Sequence, residues 1–302
     1  MNETYKTDDD IDDIHRHYRK AGKILGESLS AGAKMVKEGV KYLDVAEKIE
    51  GMISSEAGLS FPVNISVNEV GAHYTPSIND DLRFRKGDVV KIDAGSHVNG
   101  YIGDSALTVE VGSNENEYLI RASEEALQKA IEIVREGVSI SEIGNAIEKK
   151  IKSYGLKPVK NLQGHSLERY NLHAGLSIPN VSNTDKRKLK EGEVIAIEPF
   201  VTDGEGRVVD RENGNIYSLR DRAKGRIVEE MRKRFDSLPF ASRWMAGIVG
   251  QEKINMILAF LLRRRFIYPY KKLVEGEGGI VAQTEHTVLV KKEGCEVLTL
   301  RN

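Results

Sequence analysis

The sequence predicts an α+β fold: two related helix-helix-strand halves with pseudo-twofold symmetry, and a helical insertion in the second half. Three observations carry this. Val36-Lys-Glu-Gly39-Val40 returns as Val134-Arg-Glu-Gly137-Val138 after an offset of 98, which also maps Ile49-Glu50 onto Ile147-Glu148 and Ile53 onto Ile151. Lys86-Gly-Asp-Val-Val-Lys-Ile-Asp93 is echoed by Glu191-Gly-Glu-Val-Ile-Ala-Ile-Glu198 at an offset of 105, and His73 has a mate in His173 at 100. Asp93 and Asp104 stand 11 residues apart on successive strand patterns, but Glu198 and Glu285 stand 87 apart, which sizes an insertion of 76 residues.

Each half opens on an amphipathic helix. Ile11, Ile14, Tyr18, Leu25 and Leu29 follow a 3–4 spacing, as do Leu119, Ala122, Ala126, Ala130 and Val134. Asp8-Asp9-Asp10 sits where a helix start favours negative charge. Second helices are expected near residues 43–57 and 141–154, the latter with Ile143, Ile147 and Ile151 on one stripe and Gly155 as its stop. Strands are expected over 88–94, 101–111, 193–200 and 280–290. Within the insertion, Ile254, Ile257, Leu258 and Leu261 form a helical stripe that Tyr268-Pro269-Tyr270 ends. The expected division is therefore a catalytic core of 1–209 and 280–302 carrying a helical subdomain of 210–279.

Composition excludes several classes. The chain has 302 residues, with 45 Lys+Arg against 46 Asp+Glu, a balance that argues against a DNA-binding protein. An apolar content of 40% supports a packed core rather than disorder. Cys295 is the single cysteine, so a reducing compartment, the cytoplasm, is expected. The N-terminal MNETYKTDDDIDD has neither a basic nor an apolar leader segment, and no apolar run is long enough to suggest a membrane span.

The acids inside apolar strand runs carry the chemistry. Asp93 lies in Val-Val-Lys-Ile-Asp-Ala-Gly, and a tight turn centred on Val98 and Asn99 would set Asp104 directly opposite it. Like charges in that position destabilise a sheet, and a divalent cation would compensate. The alternatives are a carboxyl pair sharing a proton, or a register shifted by one residue, which would part the two side chains. Glu198 (Val-Ile-Ala-Ile-Glu-Pro-Phe) and Glu285 (Gln-Thr-Glu-His-Thr-Val) repeat the pattern, and four clustered carboxylates suit two ions rather than one. His73, His165 and His173 fall beside these strands, and spacing alone does not say which of His165 and His173 would bind metal. His15, His17, His97 and His286 read as structural or solvated.

His73-Tyr-Thr-Pro, Lys91-Ile-Asp93-Ala-Gly, Ile102-Gly-Asp104, Gly164-His165-Ser, His173-Ala-Gly, Ala196-Ile-Glu198-Pro-Phe and Thr284-Glu285-His286-Thr together resemble the pita-bread metalloaminopeptidases. With its insertion and without a long charged N-terminal extension, the chain is similar to the short, archaeal form of the type II methionine aminopeptidases. The resemblance implies the pita-bread fold and metal-dependent removal of N-terminal methionine from peptides and nascent chains, with a small second residue preferred. It implies two divalent ions, of cobalt, manganese, iron or zinc, held by Asp93, Asp104, His165, Glu198 and Glu285, with Asp104 and Glu285 bridging. Hydrolysis would proceed by a dinuclear metal-hydroxide route, with Glu198 as base and His73 and His173 contacting substrate and assisting catalysis. The methionine pocket would carry over to Phe61, Leu172 and Tyr270, of which the residues alone would read Phe61 and Tyr270 as core aromatics.

Two other readings compete. An Xaa-Pro aminopeptidase or dipeptidase shares the five-ligand core but usually carries an extra N-terminal domain, for which the ~70 residues before His73 leave no room beyond the first helix pair. A non-catalytic pita-bread binding protein would need no intact set of seven polar site residues. The basic stretch Arg220 to Arg234, with Arg263-Arg264-Arg265 and Lys271-Lys272, fits a ribosome-facing surface or simply solvated faces. A monomer is expected.

Overall fold

In a computed structural model, residues 8–301 are described, with side chains from residue 11 onward. The first half runs α1 (Asp8–Ala33), α2 (Tyr42–Ser54), β1 (Gly58–Val67), β2 (Val70–Ala72), β3 (Val89–Val98) and β4 (Tyr101–Glu110). The second runs α3 (Glu117–Ile133), α4 (Ile140–Ser153), β5 (Lys157–Pro158), β6 (Gln163–Ser166), β7 (Ser177–Pro179), β8 (Val194–Ile197) and β9 (Phe200–Thr202). The inserted span is β10 (Val208–Leu219), α5 (Arg226–Phe235), β11 (Phe240–Ala241), α6 (Ala246–Val249), α7 (Ile254–Arg263) and β12 (Ile267–Glu275). The chain then closes with β13 (Val281–Gln283), β14 (His286–Val290) and β15 (Cys295–Val297). The side chains of Asp8-Asp9-Asp10, expected to favour the start of α1, lie outside the described residues.

The expected helix pairs form, and their stripes bury. α4 starts on a capping box: the Glu142 N–H donates to Ser139 Oγ at 3.3 Å and the Ser139 N–H to Glu142 Oε2 at 2.8 Å. Gly155 follows its end at φ +75°, a left-handed stop that glycine adopts without strain. Ile143, Ile147 and Ile151 are fully buried, each worth ~1.5–3 kcal/mol of transfer free energy, and they join Leu119, Ala122 and Ala126 against Ile195, Ile197 and Val288 of the sheets. Leu25, Leu29, Val45, Ile49 and Ile53 do the same in the first half against Val63, Ile65, Val90 and Ile92.

The duplication holds at the level of single hydrogen bonds. The Gly39 N–H donates to the Phe84 carbonyl at 2.8 Å, and the Gly137 N–H to the Leu189 carbonyl at 2.9 Å. The Gly87 N–H reaches the Val111 carbonyl at 2.7 Å, and its mate at Gly192 reaches that of Val290 at 2.9 Å.

Two sequence expectations need correction. The span 210–279 is not helical throughout: its ends are the long strands β10 and β12, which pair with each other and, through β12, with β2 in the sheet β11-β10-β12-β2. Only the tip between them is helical, around Val228, Met231, Phe235, Leu258 and Leu261. Tyr268-Pro269-Tyr270 therefore lies within β12 instead of closing a helix. The strand β1, unforeseen because seven of its ten residues are buried without polar alternation, pairs with β3 in the sheet β1-β3-β4.

The halves meet where β4 faces β13 and β14. Thr287 Oγ1 accepts from the Asp104 N–H at 2.8 Å and donates to the Asp104 carbonyl at 2.7 Å, standing in for a backbone partner. Thr108 Oγ1 treats Gln283 in the same way, at 2.9 and 2.7 Å, and the Glu285 N–H donates to the Ala106 carbonyl at 2.9 Å. This seam sets Asp104 and Glu285 beside each other.

Candidate metal centre and substrate cavity

One cavity of about 270 Å³ is lined by all ten residues singled out in the sequence: Asp93, Asp104, His165, Glu198, Glu285, His73, His173, Phe61, Leu172 and Tyr270. They arrive from both halves and from the insertion. Asp93 is on β3, Asp104 on β4, His165 on β6, Glu198 one residue past β8, and Glu285 between β13 and β14. Phe61 is on β1, His73 follows β2, Leu172 and His173 lie between β6 and β7, and Tyr270 is on β12.

The β3-β4 register differs from the expected one. The turn is centred on Asn99-Gly100, at φ +53° and +87°, because an Asn-Gly pair accepts the two left-handed conformations of the tightest hairpin. Asp93 therefore pairs with Ala106, and Asp104 with Gly95. The shift is two residues, not one, so the carboxylates stay on one face as diagonal neighbours. In the second half the ladder ends at Ile197 and His286, and Glu198 and Glu285 are the next position beyond it. Pro199, without an N–H, interrupts the pairing there, and it resumes in the same register at Gln283 and Phe200.

Four acids in so small a volume repel protons' departure. Burial raises Asp93 to about 7. Burial raises Asp104 well above the ordinary range, and the Asp93 charge adds to it. Glu198 and Glu285 rise for the same reasons, opposed at Glu198 by a hydrogen bond from Gln283 and at Glu285 by the Arg301 guanidinium. Gln283, 1% exposed, points Nε2 at Glu198 Oε2 (3.2 Å) and Glu285 Oε2 (3.4 Å). Sequence reading missed it, although its place two residues before Glu285 puts it on the same strand face.

The arrangement fits a cation. Asp93 Oδ1 and Glu285 Oε1 are buried without hydrogen-bond partners. Ligand-type atoms of Asp104, His165 and Glu285 lie within 4.8 Å of one another. His165 Nε2 stands 3.6 Å from Asp104 Oδ2 and 3.9 Å from Glu198 Oε1, too long for hydrogen bonds and natural for atoms that share a third partner. Unpaired buried carboxylates of this kind are costly unless a metal or proton compensates them.

Beside this centre the histidine rings pack at an angle against ring neighbours. The His165 and His173 rings are 4.3 Å apart at 53°, and the His73 ring meets the edge of Tyr270 at 5.4 Å and 80°. Burial, then the neighbouring His173, pushes His73 down to about 4, so it is a neutral imidazole near pH 7. The other histidines point elsewhere: His17 bonds Asn99 at 2.8 Å, His97 Nδ1 accepts from the Gly100 N–H, and His286 contacts Thr299 and Arg301. Among the described residues no single helix is long and apolar enough to cross a membrane.

Comparison with known proteins agrees with this geometry. Residues 16–292 match metallopeptidase family M24. The methionine aminopeptidase of Methanothermobacter thermautotrophicus is 43% identical over 291 residues, covering 93% of this chain and 97% of the relative, and that of Thermococcus onnurineus is 45% identical over 288 residues, covering 93% and 97%. Among solved structures, the Thermotoga maritima methionine aminopeptidase superposes with a TM-score of 0.72 at 24% identity, covering 98% of both chains. The Pyrococcus furiosus prolidase gives 0.63 at 21% identity, and 98% of this chain matches only 65% of that one. These likenesses show the expected pita-bread fold, and neither the Xaa-Pro nor the non-catalytic reading is favoured beside the two relatives above. The chain belongs to metallopeptidase family M24 and, within it, to the methionine aminopeptidases.

Proposed function

We propose that this cavity removes the N-terminal methionine of peptides and nascent chains, with two divalent ions held by Asp93, Asp104, His165, Glu198 and Glu285. The observation that carries the reading is the convergence of these five residues with His73, His173, Phe61, Leu172 and Tyr270 on one cavity. Bound there, such ions polarise the scissile carbonyl and make water a nucleophile at neutral pH. The protein's own groups do the rest. Glu198 takes the proton from the attacking water at its carboxylate. His73 and His173 donate hydrogen bonds to the oxygen that gains charge and carry a proton to the leaving amine. Phe61, Leu172 and Tyr270 enclose the methionine side chain at the wall of this cavity.

The proposed setting is a monomer in the cytoplasm, acting on emerging chains. Exposed Tyr268, under the Arg220 guanidinium at 5.5 Å, and the run Arg263-Arg264-Arg265 support a ribosome-facing surface on the insertion. Salt-sensitive cosedimentation with ribosomes is expected, and none at low salt contradicts that association. The catalytic reading is tested by hydrolysis of Met-Ala-Ser and an Ala-Pro peptide, with and without added metal and chelator. Free methionine from the first, only with metal, is the expected result; cleavage of the second alone contradicts it.

A further inference from the structure

We infer that Arg243, from the inserted segment, is a positioning residue for His73. The inference rests on the proposed role of His73 and says how this chain holds that side chain in place. His73 has φ +64°, a left-handed backbone that a residue with a Cβ keeps only when its surroundings impose it.

The residues that follow His73 are gripped at nearly every polar atom. The Tyr74 carbonyl accepts from the Ile65 N–H at 2.8 Å, and the Thr75 N–H donates to the Gly214 carbonyl at 3.0 Å. Asn215 Nδ2 donates to the Thr75 carbonyl at 3.0 Å. Thr75 Oγ1 donates to the Val63 carbonyl at 2.6 Å and accepts from Arg243 Nη1 at 2.7 Å, and the same Nη1 donates to the Pro76 carbonyl at 2.7 Å. Arg243 is 5% exposed, and its other terminal nitrogen is bonded to the carboxylate of Glu50 on α2. Glu50 in turn accepts from Trp244 Nε1 at 2.9 Å and the Val63 N–H at 3.1 Å.

The guanidinium thus ties the helix pair of the first half, β1 and the His73 segment to the insertion through one planar group. The repeat shows what is special here. Glu148, the mate of Glu50, accepts from the Ser182 N–H at 2.7 Å and pairs with Lys152 at the surface, and no arginine among the described residues bonds to it. A buried ion pair is weak evidence for stability and better suited to fixing a conformation. A planar fork with fixed donors holds three acceptors at set angles, which a lysine ammonium does not.

The test is a double-mutant cycle on the metal-loaded enzyme, reading kcat, KM and metal content with Met-Ala-Ser. Arg243→Lys keeps the charge and loses the fork. Thr75→Val keeps the shape and the Glu50 pair and loses the hydroxyl's bonds to Val63 and Arg243, and it serves as the second variant if Arg243→Lys is unstable. Both are expected to lower kcat by about 10-fold or more with smaller changes in KM and full metal content, and to have no further effect in a His73→Ala background. His73→Ala with wild-type kcat would overturn the reading of His73 itself. An impaired His73→Ala, with losses from Thr75→Val that multiply in full, would overturn only the positioning role.

Discussion

Gly214→Ala probes how tightly the insertion approaches His73. Gly214 lies where β10 departs from its ladder with β12 on either side of Asn213. A Cβ there would stand 1.6 Å from the His73 carbonyl oxygen and 2.8 Å from its carbon. An ordinary carbon-oxygen contact is ~3.3 Å or longer, so about 1.7 Å must be found, and both sides are backbone that no rotamer change relieves. Overpacking of this kind costs ~1–3 kcal/mol. With an unfolding entropy of ~2.1 cal/mol/K per residue over about 300 residues, Tm falls by ~2–5 °C. Displacement of a positioned group by about 1 Å costs on the order of 10²-fold in rate. Calorimetry of the metal-loaded variant, with kcat and KM on Met-Ala-Ser, is expected to show a modest loss of Tm and a fall in kcat near that size. A variant with the lowered Tm but kcat within about twofold of the parent would refute the account of His73.

Two further outcomes follow from the acidic centre. In the metal-free protein the folded carboxylates titrate above their unfolded values, so the native state holds more protons across the window from about 4, the ordinary carboxylate value, to about 7 for Asp93. Stability from this source is therefore lost as pH rises through that window, and the Tm of Asp93→Asn should gain on wild type from pH 4.5 to 7 in the presence of chelator; a constant difference contradicts the burial of Asp93 in charged form. Gln283→Leu removes the only side-chain hydrogen-bond donor to the carboxylates of Glu198 and Glu285 among the described residues, and metal affinity should fall ~10–100-fold by calorimetry while the fold persists. Unchanged affinity would reduce Gln283 to a packing residue.

Much of this site was legible because buried acids are rare and the chain repeats itself. Val-Val-Lys-Ile-Asp and Val-Ile-Ala-Ile-Glu could be aligned without a structure, and both ended in the cavity. Same-face placement of Asp93 and Asp104 survived a wrong turn centre only because strand side chains repeat every two residues. The choice of metal histidine was not legible, since His165 and His173 share one segment, the first on β6 and the second in the loop that follows it. The insertion was misread because β10 carries Asp210, Arg211, Glu212 and Asn213 on an exposed stretch, which masks alternation. Arg243 carries no signal in the sequence; nothing local announces that Glu50, 193 residues earlier, will be its partner.

The central claim is that Asp93, Asp104, His165, Glu198 and Glu285 make one dinuclear centre. Counting bound manganese per chain by elemental analysis after loading and desalting, in wild type and in Asp104→Asn, tests it most directly. Two ions in the wild type, with at least one lost from the variant together with methionine release, are predicted. Two ions retained in Asp104→Asn, or a wild type that releases methionine with none bound, would contradict it.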